Sequence, residues 1–260
     1  MGGRIVTEKD GAIGWLVFDH PERRNAISVD MWSAMPQAVQ ELAGDDEVRV
    51  VVLRGQGEEA FVSGADISEF ASRRSGDAMR DYDLTSARAF GSLAKLAKPV
   101  IAQIHGSCIG GGVAVALTAD LRYSADDAVF AIPAARLGLG YHMAGVEALT
   151  NIVGFSAAKE IFFTARRFSA DEAPELGLVN RVLPARELDA FVRETAVRVA
   201  RNAPLTVQSV KRIVSELTKE PAARDHDAVN ASIEACFESD DYAEGVRAFL
   251  EKRRPEFRGR

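Results

Sequence analysis

His105-Gly106-Ser107-Cys108-Ile109-Gly110-Gly111-Gly112-Val113-Ala114 is the stretch whose reading decides the fold. An apolar, β-prone run at residues 99–104 leads into it, and an alanine-rich helical pattern leaves it. Strand, small-residue turn and helix in that order leave free backbone N–H groups at a helix start, where negative charge is also favoured. The same arrangement stands upstream, where a short strand at residues 60–62 ends in Ser63-Gly64-Ala65-Asp66-Ile67. Two such turns converging on one oxygen would make an oxyanion hole. The triple glycine matches neither Gly-x-Gly-x-x-Gly nor a Walker loop, so a nucleotide-phosphate reading is weak.

Working outward, residues 13–19 read as a strand after an earlier one near Ile5-Val6, and residues 48–53 as a strand covered on both faces. A helix is expected at residues 29–42, with Ser28 as N-cap, Gly44 past its end, and a kink or break at Pro36. A helical pattern fills residues 77–96, and short strands are expected at 121–123 and 129–132. Helices follow at 145–153 and 157–163. Ser169-Ala170-Asp171-Glu172 is a capping box for a further short helix, ended by Gly177 before a strand at 179–183. Beyond Pro184 only helices are expected, at residues 187–200, 205–217, 222–237 and 242–252. The chain therefore divides near residue 200 into strand-turn-helix units (1–200) and a helical region (201–260) that must pack on its own core or on a neighbouring subunit.

The chain has 260 residues, enough for a substantial core without metal or disulfide staples. Its formal charge of -6 argues against nucleic acid as a partner, since no basic excess exists to displace counterions from phosphates. Cys108 and Cys236 are the only cysteines, so neither a disulfide framework nor a zinc site is signalled. No targeting segment and no apolar run of membrane-spanning length stands out, which makes a cytoplasmic protein that does not enter a membrane the expectation.

Several motifs in fixed order resemble the enoyl-CoA hydratase/isomerase (crotonase) superfamily. They are Pro21-Glu22-Arg23-Arg24-Asn25-Ala26, Ser63-Gly64-Ala65-Asp66-Ile67, Pro99-Val100-Ile101-Ala102, Gly110-Gly111-Gly112 and Ala248-Phe249-Leu250-Glu251-Lys252-Arg253. The resemblance runs from about residue 5 to Arg258. It implies an α/β fold, a spiral of ββα units with a C-terminal helical trimerisation region, assembled as a homotrimer or dimer of trimers. It implies a site for the thioester of an acyl-CoA, with the N–H groups of Ala65 and Gly111 as oxyanion donors. Coenzyme A enters as part of the substrate, and no separate cofactor or metal is implied. By position, contacts to it fall on Arg24, Ala26, Ser63, Gly64, Asp66, Ile67 and Pro133, with Phe249 and Lys252 closing over the pantetheine and phosphate end.

One departure bears on the chemistry. Hydratases of this family carry a glutamate two residues after the triple glycine and another directly after the proline of the later strand; here those positions are Ala114 and Ala134. A methyl group cannot activate water or return a proton to an α-carbon. The remaining candidates are Arg136, Tyr141, His142 and Glu147. Leu-Gly-x-x-Tyr around Tyr141, and residues 238–245, are similar to the methylmalonyl-CoA decarboxylase branch, which places a tyrosine where Tyr141 stands and a histidine where this chain has Ala65. Tyr141 and His142 are thus catalytic candidates. Arg136 reads as a loop tie or carboxylate partner, while Glu147, Asp66 and Glu69 read first as residues complementing helix starts.

Three functions are compatible with these residues. The first is an acyl-CoA lyase whose enolate arises without paired carboxylates, as in decarboxylation of a malonyl-type thioester. The second is a hydratase or isomerase with displaced acid/base groups, and the third a non-catalytic acyl-CoA binder. No Gly-x-Ser-x-Gly elbow supports a serine hydrolase, and no dinucleotide fingerprint supports a dehydrogenase.

Overall fold

A computed structural model describes residues 2–66 and 77–260. Strands β1 (Arg4–Asp10) and β2 (Ile13–Asp19) form an antiparallel hairpin, and helix α1 (Val29–Gly44) follows. Three turns of a spiral come next. Strands β3 (Val50–Gly55) and β4 (Ala60–Val62) precede α2 (Asp77–Ala94); β5 (Val100–Ile104) and β6 (Ser107–Ile109) precede α3 (Gly111–Leu117). In the third turn β7 (Leu121–Ala125) and β8 (Val129–Ala131) precede a 3-10 turn, Pro133–Leu137, and α4 (Met143–Thr164). The first strand of each turn joins a six-stranded sheet, β1-β2-β3-β5-β7-β10, and the second a four-stranded sheet, β4-β6-β8-β9. Here β9 is Phe168–Ser169 and β10 is Arg181–Leu183, with the short helix α5 (Glu172–Glu175) between them. This is the expected ββα spiral.

Alternation along β2 shows why the central strands read as continuously apolar. Trp15 and Val17 face helix α6 (Ala185–Ala200), packing with Leu188, Val192 and Ala196, whereas Leu16 and Phe18 face α1 and pack with Met31, Trp32 and Met35. Each face of the large sheet thus has its own core, and strands buried on both sides need no polar face.

Local signals are met at several ends. Ser28 accepts the Met31 N–H at 3.2 Å, capping α1, and the Ser169–Glu172 box is reciprocal, with Ser169 N–H donating to Glu172 and Glu172 N–H to Ser169. Of the kink or break expected at Pro36, the break does not occur, because α1 continues to Gly44. Its buried stripe of Met31, Trp32, Met35, Ala38, Val39 and Leu42 outweighs a proline penalty of about 3 kcal/mol. The two helices expected at 145–153 and 157–163 are present as the two halves of α4, which meet at a kink where Gly154 has a non-helical φ of 78° and ψ of 167°. The helix expected from residue 222 starts later: Pro221–Ala223 is a 3-10 turn, and Asp225 caps α8 (His226–Phe237) by accepting the Ala228 N–H. With α7 (Pro204–Leu217) and α9 (Asp240–Leu250) it completes the helical end of the chain. Among the described residues no helix is long and apolar enough to cross a membrane, and no cluster of three or more metal-binding side chains occurs.

Candidate active site

The two small-residue turns leave adjacent parallel strands, since β4 pairs with β6 through Ala60–Ser107 and Val62–Cys108. Both turns therefore open at the same end of the small sheet. The first is braced by residues 23–27, which run alongside it. Ile27 N–H donates to Gly64 O at 2.8 Å and Asp66 N–H donates to Ile27 O at 3.0 Å. Ser63 N–H donates to Arg24 O, and its hydroxyl to Arg23 O.

In this parallel bridge Gly64 and Asp66 face Ile27, so the Ala65 N–H points the opposite way. That way lies Gly111: a β-carbon built on it would stand 3.7 Å from the Ala65 nitrogen. Gly111 opens α3, so its N–H has no intrahelical partner. Among the described residues neither amide donates a hydrogen bond. Gly112 serves a different purpose, since a β-carbon there would lie 2.1 Å from Val62 O, and only glycine lets α3 pack this closely on β4.

Asn25 anchors the brace. Its side chain accepts the His20 N–H and donates to Gln56 O and, at 2.7 Å, to Ala60 O, tying residues 20–25 to the start of β4. Arg24 and Asn25 both have positive φ, 51° and 56°, a strained pair held by these bonds.

The other candidates fall into three groups. Arg24 is exposed and lines an open groove of about 310 Å³ with Glu59, Gly106, Ser107, Asp127 and Val129. Ala26 is buried, and its carbonyl is hydrogen-bonded to the His20 ring. The Asp66 carboxylate is ion-paired with Arg23 at 3.7 Å, and Ile67 and Glu69 lie outside the described residues. In the second group Ala114 is half-buried on α3, while Pro133 and the buried Ala134 open the 3-10 turn. The methyl groups leave no ionisable group at either position. Arg136 and Glu147 are exposed.

Tyr141 packs edge-on against Phe162, with ring centroids 4.8 Å apart. Although 38% of its surface is exposed, desolvation and the neighbouring Tyr82 push its phenol pKa up to about 12. Near neutral pH it is a hydrogen-bond donor, not a base. His142 is largely exposed and pairs with Asp83 of α2 at 3.2 Å, which joins α2 to the start of α4.

The third group is the tail. Phe249 is 83% exposed, and Lys252 is also exposed. The residues beyond are tied down by Arg49, which donates to Phe257 O, and by Asp241, which accepts the Arg258 and Gly259 N–H groups.

Sequence reading missed the aromatic wall beside the two amides. Trp32 is 1% exposed, lies 3.6 Å from the Gly111 β-position and donates its indole N–H to Tyr82 at 3.2 Å. The partners are fifty residues apart in sequence, and neither carries a motif that would announce the pairing.

The enoyl-CoA hydratase/isomerase family model matches residues 8–260. A short-chain-enoyl-CoA hydratase of Clostridium acetobutylicum is 33% identical, covering 97% of this chain and 96% of the relative. A peroxisomal Delta(3,5)-Delta(2,4)-dienoyl-CoA isomerase of Arabidopsis thaliana is 34% identical over 97% of this chain and 95% of its own. Among solved structures, an enoyl-CoA hydratase/isomerase family protein of Hyphomonas neptunium has a TM-score of 0.93 at 35% identity, covering 98% of both chains. Matches of this extent, on a ββα spiral with two unpartnered amides at adjacent turns, make the chain a member of the enoyl-CoA hydratase/isomerase family.

Proposed function

We propose that the protein acts on an acyl-CoA thioester, holding the thioester oxygen between the N–H groups of Ala65 and Gly111 while an enolate forms. The observation that carries this reading is that pair of uncommitted amides at adjacent turns, one 3.7 Å from the β-position of the other. Donors fixed in this way stabilise developing oxyanion charge without reorganising, an effect worth about two to three orders of magnitude for one donor. Arg24, which lines the open groove, would meet a phosphate of the CoA moiety, which arrives as part of the substrate. Phe249 and Lys252 act across an interface in a homotrimer or dimer of trimers, consistent with the bare apolar residues of the tail.

The favoured reaction is decarboxylation of a malonyl-type thioester or a related lyase step. Loss of carbon dioxide leaves its bonding electrons as the enolate, so no base is required. Ala114 and Ala134 supply none, and two carboxylates on the neighbouring segments are engaged, Asp66 with Arg23 and Asp83 with His142. Tyr141, protonated, orients the departing carboxylate. Hydration or isomerisation with displaced acid/base groups is the second reading, favoured by relatives named as a hydratase and an isomerase.

The test is incubation with a panel of enoyl-, 3-hydroxyacyl-, malonyl- and methylmalonyl-CoA, read by mass. Loss of carbon dioxide, slowed at least about tenfold in Tyr141→Phe, supports the first reading, and fast water addition to crotonyl-CoA replaces it with the second. Binding without conversion leaves an acyl-CoA binder.

A further inference from the structure

The two donor turns are held unequally. β6, which delivers Gly111, is paired with β4 on one side and β8 on the other, and the Gly110 N–H donates to Ala131 O. β4, which delivers Ala65, is the three-residue edge strand of the small sheet, and its pairing with β6 is irregular between Ala60 and Val62. Residues 24–27 stand in for a strand on that open edge. Arg24 O accepts the Ser63 N–H, and Ile27 bonds to Gly64 and Asp66, the pairing that leaves the Ala65 N–H between them unspent.

Asn25, 1% exposed, is what fixes these residues to β4. The local turn closes without its side chain, because His20 O accepts the N–H groups of Arg23 and Asn25, and Pro21 O that of Arg24. The Asn25 amide instead reaches across 31 and 35 residues, to Gln56 O at 3.1 Å and Ala60 O at 2.7 Å. Gly55 keeps the room for it, since a β-carbon there would stand 2.5 Å from Asn25 Nδ2. The chain also accepts positive φ at Arg24 and Asn25, a conformation unfavourable for residues with a β-carbon. We infer that Asn25 is the positioning residue of the Ala65 oxyanion donor; this rests on the thioester reading above. Its two bonds lock residues 24–27 to the segment that feeds β4, so the Ala65 amide is aimed before a substrate arrives and needs no reorganisation as charge develops. Without them the brace and β4 move independently, and of the two amides only that of Gly111 stays fixed.

The experiment compares wild type, Asn25→Gly and Asn25→Ser. Glycine keeps the positive φ open and removes all three side-chain bonds, whereas serine keeps a short acceptor for the His20 N–H. The readouts are kcat on whichever thioester of the panel the wild type converts, and the infrared stretch of carbonyl-labelled acetyl-CoA bound at saturation, with melting temperature and oligomer mass as controls. Two donors on the thioester oxygen lower its stretching frequency, and Asn25→Gly should return about half of that shift as one donor of two is lost. Its kcat should fall about 10²-fold, the scale of a small misplacement at a reacting group, with Asn25→Ser in between. A defect of stability alone leaves the carbonyl band of the folded, saturated protein where it was. Full kcat or a full downshift in the folded variants overturns the Asn25 assignment with the thioester reading intact, and so does failure of both variants to fold, which would make Asn25 a residue of the fold only. A wild type that shows no downshift and converts nothing in the panel overturns both.

Discussion

The turns at Ser63–Asp66 and Gly110–Gly112 and the helices from Pro204 to Leu250 are opposite kinds of structure. Around the turns nearly every polar group has a partner within the chain: Asn25 holds Gln56 and Ala60, Ile27 brackets Gly64 and Asp66, and Gly110 donates to Ala131. The two amides left over are those of Ala65 and Gly111, the donors of the proposed reaction. In the helical end it is apolar surface that is left over, with Val214 56% and Leu217 60% exposed, and with Phe237, Phe249 and Leu250 more exposed still. One region satisfies most of its polar groups within a single chain; the other leaves apolar surface exposed.

The sharpest way to break that contrast lies within the turns, in two neighbouring glycines. Gly112→Ala drives a β-carbon to 2.1 Å from Val62 O, which is backbone and cannot move aside. Overpacking of this kind should cost on the order of 3 kcal/mol or more and appear as a large fall in melting temperature with loss of soluble protein. Gly111→Val should do the reverse. Its β-carbon finds ordinary contacts, 3.6 Å from Trp32 and 3.7 Å from Ala65 N, while its methyl groups fill the space before the Ala65 N–H. Turnover should fall by roughly 10²–10³-fold with melting temperature and oligomer mass nearly unchanged. A Gly112→Ala protein as stable as wild type, or a fully active Gly111→Val, would show that the turns are less completely determined than the geometry indicates.

The helical end gives a middle-sized effect. Val210, Val214 and Leu217 lie one turn apart on one exposed face of α7. Light scattering at micromolar concentration should give a multiple of the chain mass, and Val214→Asp with Leu217→Asp should shift it to that of one chain while the helical circular dichroism survives. Monomeric wild type would mean that this face is covered by something other than a second copy.

How much of this was legible in the sequence follows from how local each signal is. Ser28, and Ser169 with Glu172, act on backbone within four residues, and the elements they mark are where the pattern puts them. The two-sided burial of β3 was readable because both faces of one strand lie in one stretch of chain. Pro36 does not break the helix because its local cost is overridden by burial of residues on both sides of it. The start of α8 was misplaced because the Asp225 cap lies inside an otherwise helix-compatible run. Least readable were Asn25 and the Trp32–Tyr82 pair, whose partners lie thirty to fifty residues away.

The smallest expected effect concerns how the end of the chain is held by the chain itself. On α9, Glu244 accepts both terminal nitrogens of Arg253, at 2.6 and 2.9 Å, and the Glu256 N–H at 3.0 Å. The Arg253 bonds first, and the backbone amide second, lower its carboxyl pKa from 4.5 to about 2. Because the unfolded chain takes up the proton more readily, the pair stabilises the folded tail above about pH 4.5, and that contribution fades as pH falls from there towards 2. Glu244→Gln removes the titrating group. The stability difference between wild type and this variant should hold steady down to about pH 5, then shrink on acidification, and be smaller in high salt because the pair is solvated. A difference that grows on acidification, or is insensitive to salt, would mean that the tail is fixed by packing, as the turns are, and would erase part of the contrast between the two regions.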